Sequence, residues 1–263
     1  MRFFSPPTEV PPVNDVGLRR ISGVSAVLLL VQAVLLSIIL ALTHARVLLP
    51  ITLGMIGGRE RIVLFRLDLG IGVIVLVLLV AVSRLIVTIP SVFPRYSLGV
   101  QSNRHTARWI EFAFSSSITI FLVAQLNGIS DIATLVLSYA ITSGMTLFTV
   151  VEERFPRSRS ERMLPLWFAA AIGIVPWGVI AFHQVAALLA GQPPSALVRV
   201  ITLTMLAFAF AFFVSHWREQ RRRDSALSML AGERTHILLS LASISVFAWL
   251  VVLGMVGVGN VRL

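Results

Sequence analysis

An all-α membrane protein with seven spanning helices is the fold class that this sequence predicts, and three observations carry it. Of 263 residues, 57% are hydrophobic and only 13% charged. The mean hydropathy of +0.90 belongs to a multi-span membrane chain rather than to a soluble domain wrapped around a core. Seven apolar segments are each about 20 residues or longer, the length a helix needs to cross ~30 Å of hydrocarbon. The 22 basic residues, all of them arginine, fall unevenly on the two sides of these segments. No internal repeat divides the chain, so residues 1–263 read as a single seven-helix transmembrane domain.

Taken in order, residues 1–16 hold Pro6, Pro7, Pro11 and Pro12 with two acidic groups and read as a flexible tail, not as a signal peptide. The first span covers 21–42. The outer loop that follows, 44–66, is unlike the others: apolar runs at 51–55 and 62–65 flank Gly57, Gly58, Arg59 and Glu60, the pattern of a β-hairpin. A lone hairpin is marginal in water, so this one is expected to pack on helix ends or on a second copy of the chain; the alternative is an ordinary long loop. The second span covers 67–89, the third 109–127 and the fourth 132–151. Asn127, Gly128, Ser130 and Asp131 supply the turn between the last two, because an uninterrupted helix there is far too long for a bilayer. The fifth covers 164–190 and should kink at Pro176, which removes a backbone hydrogen bond. The sixth and seventh cover 195–217 and 235–258.

Arginine placement predicts orientation. With the N-terminus in the cytoplasm, sixteen of the 22 arginines, among them Arg19, Arg20, Arg84, Arg104, Arg108, Arg154, Arg218, Arg221 and Arg234, fall on the cytoplasmic side. Arg46, Arg59, Arg61, Arg66, Arg199 and Arg262 fall on the other. The positive-inside bias therefore gives an N-in, C-out plasma-membrane protein. The net charge of +10 is explained more simply by basic loops facing anionic lipid head groups than by nucleic-acid binding. The charged stretch 218–223 suits a lipid surface or a soluble cytoplasmic protein partner.

Chemistry is sparse. With no cysteine, disulfides, thiolate metal sites and thiol catalysis are excluded. His44, His105, His183, His216 and His236 have no i, i+4 spacing and no nearby carboxylate set, so structural or interface roles are expected, with no metal site and no enzyme. Polar groups inside spans are costly and face a partner or a cavity. In the third span Arg108, Glu111 and Ser115 share one helix face. Glu111 either pairs with Arg108 near the cytoplasmic edge or lines a pocket. Gln32, Gln125 and Asn127 are further intramembrane polar groups, but with Glu111 they form no evident continuous file for transport. Trp109, Met145, Trp167, Phe168, Trp177, Phe208, Phe212 and Trp249 suit the wall of an elongated apolar pocket, although such residues also serve as ordinary packing anchors.

The run Arg108-Trp109-Ile110-Glu111-Phe112 followed by Ser115-Ser116-Ser117 resembles the heliorhodopsins, as do Gly128-Ile129-Ser130-Asp131-Ile132-Ala133 and Gly173-Ile174-Val175-Pro176-Trp177. So does Gly232-Glu233-Arg234 leading into Ile237-Leu238-Leu239-Ser240-Leu241 and Ala248-Trp249. These blocks occur in order over about 230 residues. The resemblance implies a rhodopsin-like bundle of inverted topology with an outer hairpin, and a homodimer. It places Glu111 as counterion of a protonated retinal imine and the retinal lysine four residues after Ser240. Ile244 stands there. No lysine exists anywhere in the chain, and arginine, always protonated, is no amine nucleophile toward an aldehyde. A covalent retinal cofactor is therefore not expected. A genome that favours arginine codons explains loops without lysine, but at position 244 it would give arginine rather than isoleucine.

Without the imine, a buried Glu111 must take up a proton or find another cation; Arg84 and Arg108 are the candidates. Arg84 falls near a position where heliorhodopsins tend to carry histidine, as does Leu29. A side chain reaching back to the cytoplasmic surface is the simpler reading of Arg84, and a buried ion pair with Glu111 the other. Three functions follow. The chain is a light-independent sensor or regulatory scaffold acting through cytoplasmic loops, or a noncovalent binder of retinal, carotenoid, isoprenoid or lipid in the vacated pocket with Ser115 and Ser240 on its wall, or, least supported, an ion or proton transporter.

Overall fold

The computed structural model describes residues 15–54, 61–154, 163–221 and 225–257. The proline-rich tail, the turn at 57–60 and the arginines at 59, 157, 159, 162, 222, 223 and 262 lie outside the described residues. The elements in chain order are α1 (Val16–Thr43), β1 (Leu48–Gly54), β2 (Arg61–Asp68), α2 (Leu69–Thr88), α3 (Phe93–Gln101), α4 (Thr106–Leu126), α5 (Ile132–Arg154), α6 (Leu164–Gly173), α7 (Val175–Leu189), α8 (Ala196–Arg221) and α9 (Ala226–Val256). With α6 and α7 taken as one 26-residue unit, seven helices are long and apolar enough to cross a membrane.

The helix boundaries follow from capping. Asp68 accepts from the backbone N–H groups of Gly70 and Ile71 at 2.9 and 3.3 Å, so Leu67 belongs to β2, which Asp68 closes, and the second span begins at Leu69 rather than at 67. Between α4 and α5, Gly128 adopts φ +85°, a value glycine takes without penalty, and the Asp131 carboxylate accepts from the Thr134 backbone N–H at 2.9 Å to cap α5. These two residues turn the chain within five residues. Pro176 marks a break as expected: α6 stops at Gly173 and α7 starts at Val175. The last two helices extend further than their hydropathy implies. α8 runs to Arg221, and α9 begins at Ala226, capped by Ser225, nine residues before the expected start at 235.

The spanning helices carry apolar residues both toward the core and toward lipid. On α1, Ala26, Leu29, Ala33 and Leu36 are buried in the core, whereas Val24, Val27, Val31, Val34 and Ile38 face outward. The core joins α1, α2, α4 and α9 through Leu29, Val73, Leu76, Val80, Val123, Phe247 and Val251. α5 packs on α4 and α6, and α8 packs chiefly on α9. α3 lies across the bundle end opposite the hairpin and packs on α9.

The hairpin is longer than the sequence pattern suggests. β1 and β2 pair antiparallel from Leu48↔Asp68 to Gly54↔Arg61, with a register shift that leaves Leu64 as an extra residue on β2. It rests on helix ends. Ile51 is buried in the main core, the Thr52 backbone N–H donates to Ser130 O at 2.8 Å, and the hydroxyls of Thr52 and Ser130 lie 3.1 Å apart.

Candidate functional site

The bundle end away from the hairpin gathers the buried charge. Arg84, on α2, does not reach the membrane surface: it is 4% exposed, and its Nη2 donates to Glu111 Oε2 at 2.8 Å. The surface-reaching reading of Arg84 is thus overturned. The reason is helix register, because α2 and α4 pack side by side and turn both residues inward. Ser115 Oγ donates to Glu111 Oε1 at 3.0 Å. Both carboxylate oxygens of Glu111 are engaged, and Glu111 neither pairs with Arg108 nor forms part of the cavity wall described below.

Arg108 belongs to a second, larger group. Its Nη2 donates to Glu219 Oε2 at 3.1 Å and its Nη1 to Glu233 Oε2 at 3.3 Å, and its guanidinium stacks over the Trp109 ring at 4.2 Å. Tyr96 donates its phenolic hydrogen to Glu233 Oε1 at 2.8 Å. Burial, reinforced by that carboxylate, pushes the Tyr96 phenol well above its ordinary pKa, so it remains a donor. Glu153 accepts from the His105 backbone N–H at 3.0 Å and from Trp109 Nε1 at 2.7 Å, and lies 2.8 Å from His105 Nδ1. His216 sits 3.4 Å from Glu219 and 3.5 Å from Glu152. A Cβ at Gly232 would meet the Glu219 carboxylate at 2.8 Å, so a glycine is needed where α8 and α9 converge on it.

This network corrects two expectations. His105 and His216 do have carboxylates beside them: Glu153, Glu219 and Glu233 reach His105 from α5, α8 and α9, and His216 has Glu152 from α5 and Glu219 one turn on in its own helix. The stretch 218–223 is not wholly a solvated face, since Glu219 and Gln220 are buried. Glu219 and Glu153 escaped sequence reading, and His216 and Glu233 were named without their partners; the His216–Glu219 spacing of one helical turn was the available signal. Among the described residues, no group of His, Asp or Glu is arranged to hold a metal ion.

Next to this network lies a cavity of about 540 Å³ between α4, α5, α6, α7, α8 and α9. Of the residues expected on its wall, Trp109, Ser115, Met145, Trp167, Trp177, Phe208, Phe212, Ser240 and Ile244 are there. Phe168 and Trp249 are not. Phe168 is 49% exposed on the outer face of α6, because it follows Trp167 by about 100° around the helix; Trp249 packs against the main core. Arg108, His216, Glu219 and His236 also line the cavity, so its charged end is the network itself. Trp167, Ile174 and Phe210 belong to the wall yet are about half exposed; they sit on α6, at its junction with α7, and on α8. At the hairpin end, Asn127 donates to Thr202 Oγ1 at 2.9 Å and accepts from Gln184 at 2.6 Å. Among the described residues, no hydrogen bond joins Glu111 to Gln125 or Gln32.

Seven apolar helices, a hairpin joining the first two, and an apolar cavity behind a buried third-span glutamate define a rhodopsin-type, multi-pass membrane protein. A family model described as Heliorhodopsin matches residues 18–256, and the chain belongs to the heliorhodopsin family. No match is found among curated proteins. The retinal linkage that the family resemblance implies does not fit these residues: the position on the cavity wall is Ile244, which is 4% exposed and has no amine.

Proposed function

We propose that this heliorhodopsin-family protein is a light-independent membrane sensor whose input is an apolar ligand held noncovalently in the cavity and whose output is the ion network at the cytoplasmic end. One residue carries the reading. Trp109 presents its ring to the cavity, carries the Arg108 guanidinium 4.2 Å above it, and donates its indole N–H to Glu153 at 2.7 Å. A molecule that moves this ring also moves the hydrogen bond and the stacked cation, and with them the ends of α5, α8 and α9.

Several features support this assignment. Isoleucine at 244 keeps that wall apolar, and Arg84 supplies Glu111 with the cation that a retinal imine would otherwise provide. The arginine bias still favours a cytoplasmic N-terminus in the plasma membrane after the buried Arg84 and Arg108 are set aside. The basic end then faces the cytoplasm, where a protein partner would read the network, and the half-exposed strand β2 suits a homodimer contact. The protein performs no catalysis in this scheme.

The test uses full-length protein in lipid nanodiscs. Retinal is expected to quench tryptophan emission saturably, to leave no borohydride-reducible adduct, and to slow backbone hydrogen exchange at the ends of α5 and α8. Trp109→Phe should keep saturable binding and lose the exchange effect. Absence of saturable binding, or binding that leaves exchange at those ends unchanged in the wild type, would overturn the proposal.

A further inference from the structure

His236 is a polar group on the cavity wall that the ion network does not employ. It stands on α9, eight residues before Ile244, which is about 12 Å along the helix. The residue is 7% exposed, and its ring is boxed by Trp109, Phe112 and Phe212, with centroids at 6.2, 5.4 and 5.2 Å. Among the described residues no hydrogen bond reaches the imidazole, and Nε2 is buried without a partner. Buried polar atoms are nearly always hydrogen-bonded, and one that is not is a standing penalty. The three aromatic neighbours have nothing to offer it except the Trp109 N–H, which Glu153 already takes.

We infer that the ligand of this cavity is an apolar chain ending in one uncharged hydroxyl, and that His236 hydrogen-bonds that hydroxyl. The inference rests on the ligand-binding role proposed above and gives the ligand its chemical class and its direction. A hydroxyl both donates and accepts, so it satisfies either tautomer of a neutral imidazole. A half-turn of the ring exchanges nitrogen and carbon positions at little steric cost, so either ring setting serves.

Other head groups fit less well. A carboxylate at this end meets Glu219 on the same wall, while the Arg108 guanidinium is already held by Glu219 and Glu233. An ammonium meets Arg108. A hydrocarbon leaves the imidazole nitrogen as unpaired as before. An aldehyde accepts but cannot donate, so it satisfies only one tautomer. The hydroxyl end therefore points toward the ion network, and the apolar chain runs along Phe208, Trp177 and Met145 toward Ile244. Ser240, midway between His236 and Ile244 on α9, is the competing anchor for a polar head.

The experiment titrates full-length protein in nanodiscs with all-trans-retinol, with retinoate and with the corresponding hydrocarbon, reading tryptophan quenching. Retinol is expected to bind about tenfold tighter than either of the others, the difference one buried hydrogen bond makes. His236→Phe should remove that preference while hydrocarbon binding stays saturable, which reports an intact cavity; His236→Asn should retain part of the preference. Equal affinities in the wild type, tightest binding of retinoate, or a preference that survives His236→Phe and disappears in Ser240→Ala would each overturn the assignment of head group or anchor. If none of the three probes binds saturably, the ligand reading fails and this inference fails with it.

Discussion

The two buried charge sites of this bundle follow opposite designs. Arg84 and Glu111 form a closed pair: one cation and one anion, 2.8 Å apart, with Ser115 completing the carboxylate. The network around Arg108 is open: one permanent cation faces Glu219 and Glu233 directly, with Glu152 and Glu153 nearby, so the fixed cation is outnumbered by the acids around it. The difference teaches where change can be registered. A matched pair inside a low-dielectric core resists perturbation because separating it strands two charges. A cluster with more acids than fixed cations shares its cation among several acceptors, and small displacements can change how those hydrogen bonds are divided. In the proposed function the closed pair takes the place of a pigment cation, and the open network is the part that responds.

Breaking the open site should cost most. Arg108→Leu leaves Glu219 and the fully buried Glu233 without their shared cation, and is expected to destabilise the protein by about 3–5 kcal/mol, read as a lowered midpoint in thermal unfolding of detergent-solubilised protein. A change under about 1 kcal/mol would mean that protonation alone neutralises the cluster. Arg84→Leu should cost less, about 2 kcal/mol, because Glu111 can take up a proton once its partner is gone. Infrared spectra should then show a protonated carboxyl band that is absent from the wild type and removed again by Glu111→Gln.

The same pair governs whether a pigment can be restored. Ile244→Lys alone should give no visible retinal band, because Glu111 is already held by Arg84. Ile244→Lys combined with Arg84→His should give one that hydroxylamine bleaches. A full pigment from the single substitution would show that Arg84 releases its partner and that the pair is not closed.

The smallest expected effect lies outside both sites and calibrates them. Hydrogen bonds from the Thr134 backbone and hydroxyl hold the Asp131 carboxyl below its ordinary pKa. Its contribution is therefore present in full above the ordinary aspartate value of ~3.9, and is lost as pH falls through the depressed value of the folded state. Asp131→Ala should lower stability by about 1 kcal/mol near neutral pH, the usual worth of a helix N-cap. The difference from wild type should vanish in acid, as unfolding midpoints across a pH series would show.

Much of this was legible in the chain itself. Span number, the turn at Gly128 and Asp131, the break at Pro176 and the hairpin all follow from local signals: hydropathy over a bilayer's length, capping residues, and apolar runs around glycines. The cavity wall was legible in nine of its residues, because aromatic and apolar side chains facing a bundle interior repeat at helical spacing. Phe168 shows where that logic ends, since periodicity does not say which side of α6 faces inward. Glu233 fell outside the expected seventh span because hydropathy averages penalise charge, whereas a helix tolerates buried charge that is paired.

The sequence by itself determined what cannot happen at position 244: without an amine no imine forms, whatever the fold, because that is a matter of covalent chemistry. It also determined the seven helices, because spanning hydrocarbon requires each segment to satisfy its own backbone. Only the tertiary structure decided the partners. Arg84 lies 27 residues from Glu111, and Arg108 lies 111 residues from Glu219 and 125 from Glu233. Pairing over such separations is fixed by how the helices rotate against one another, and no local pattern encodes that rotation.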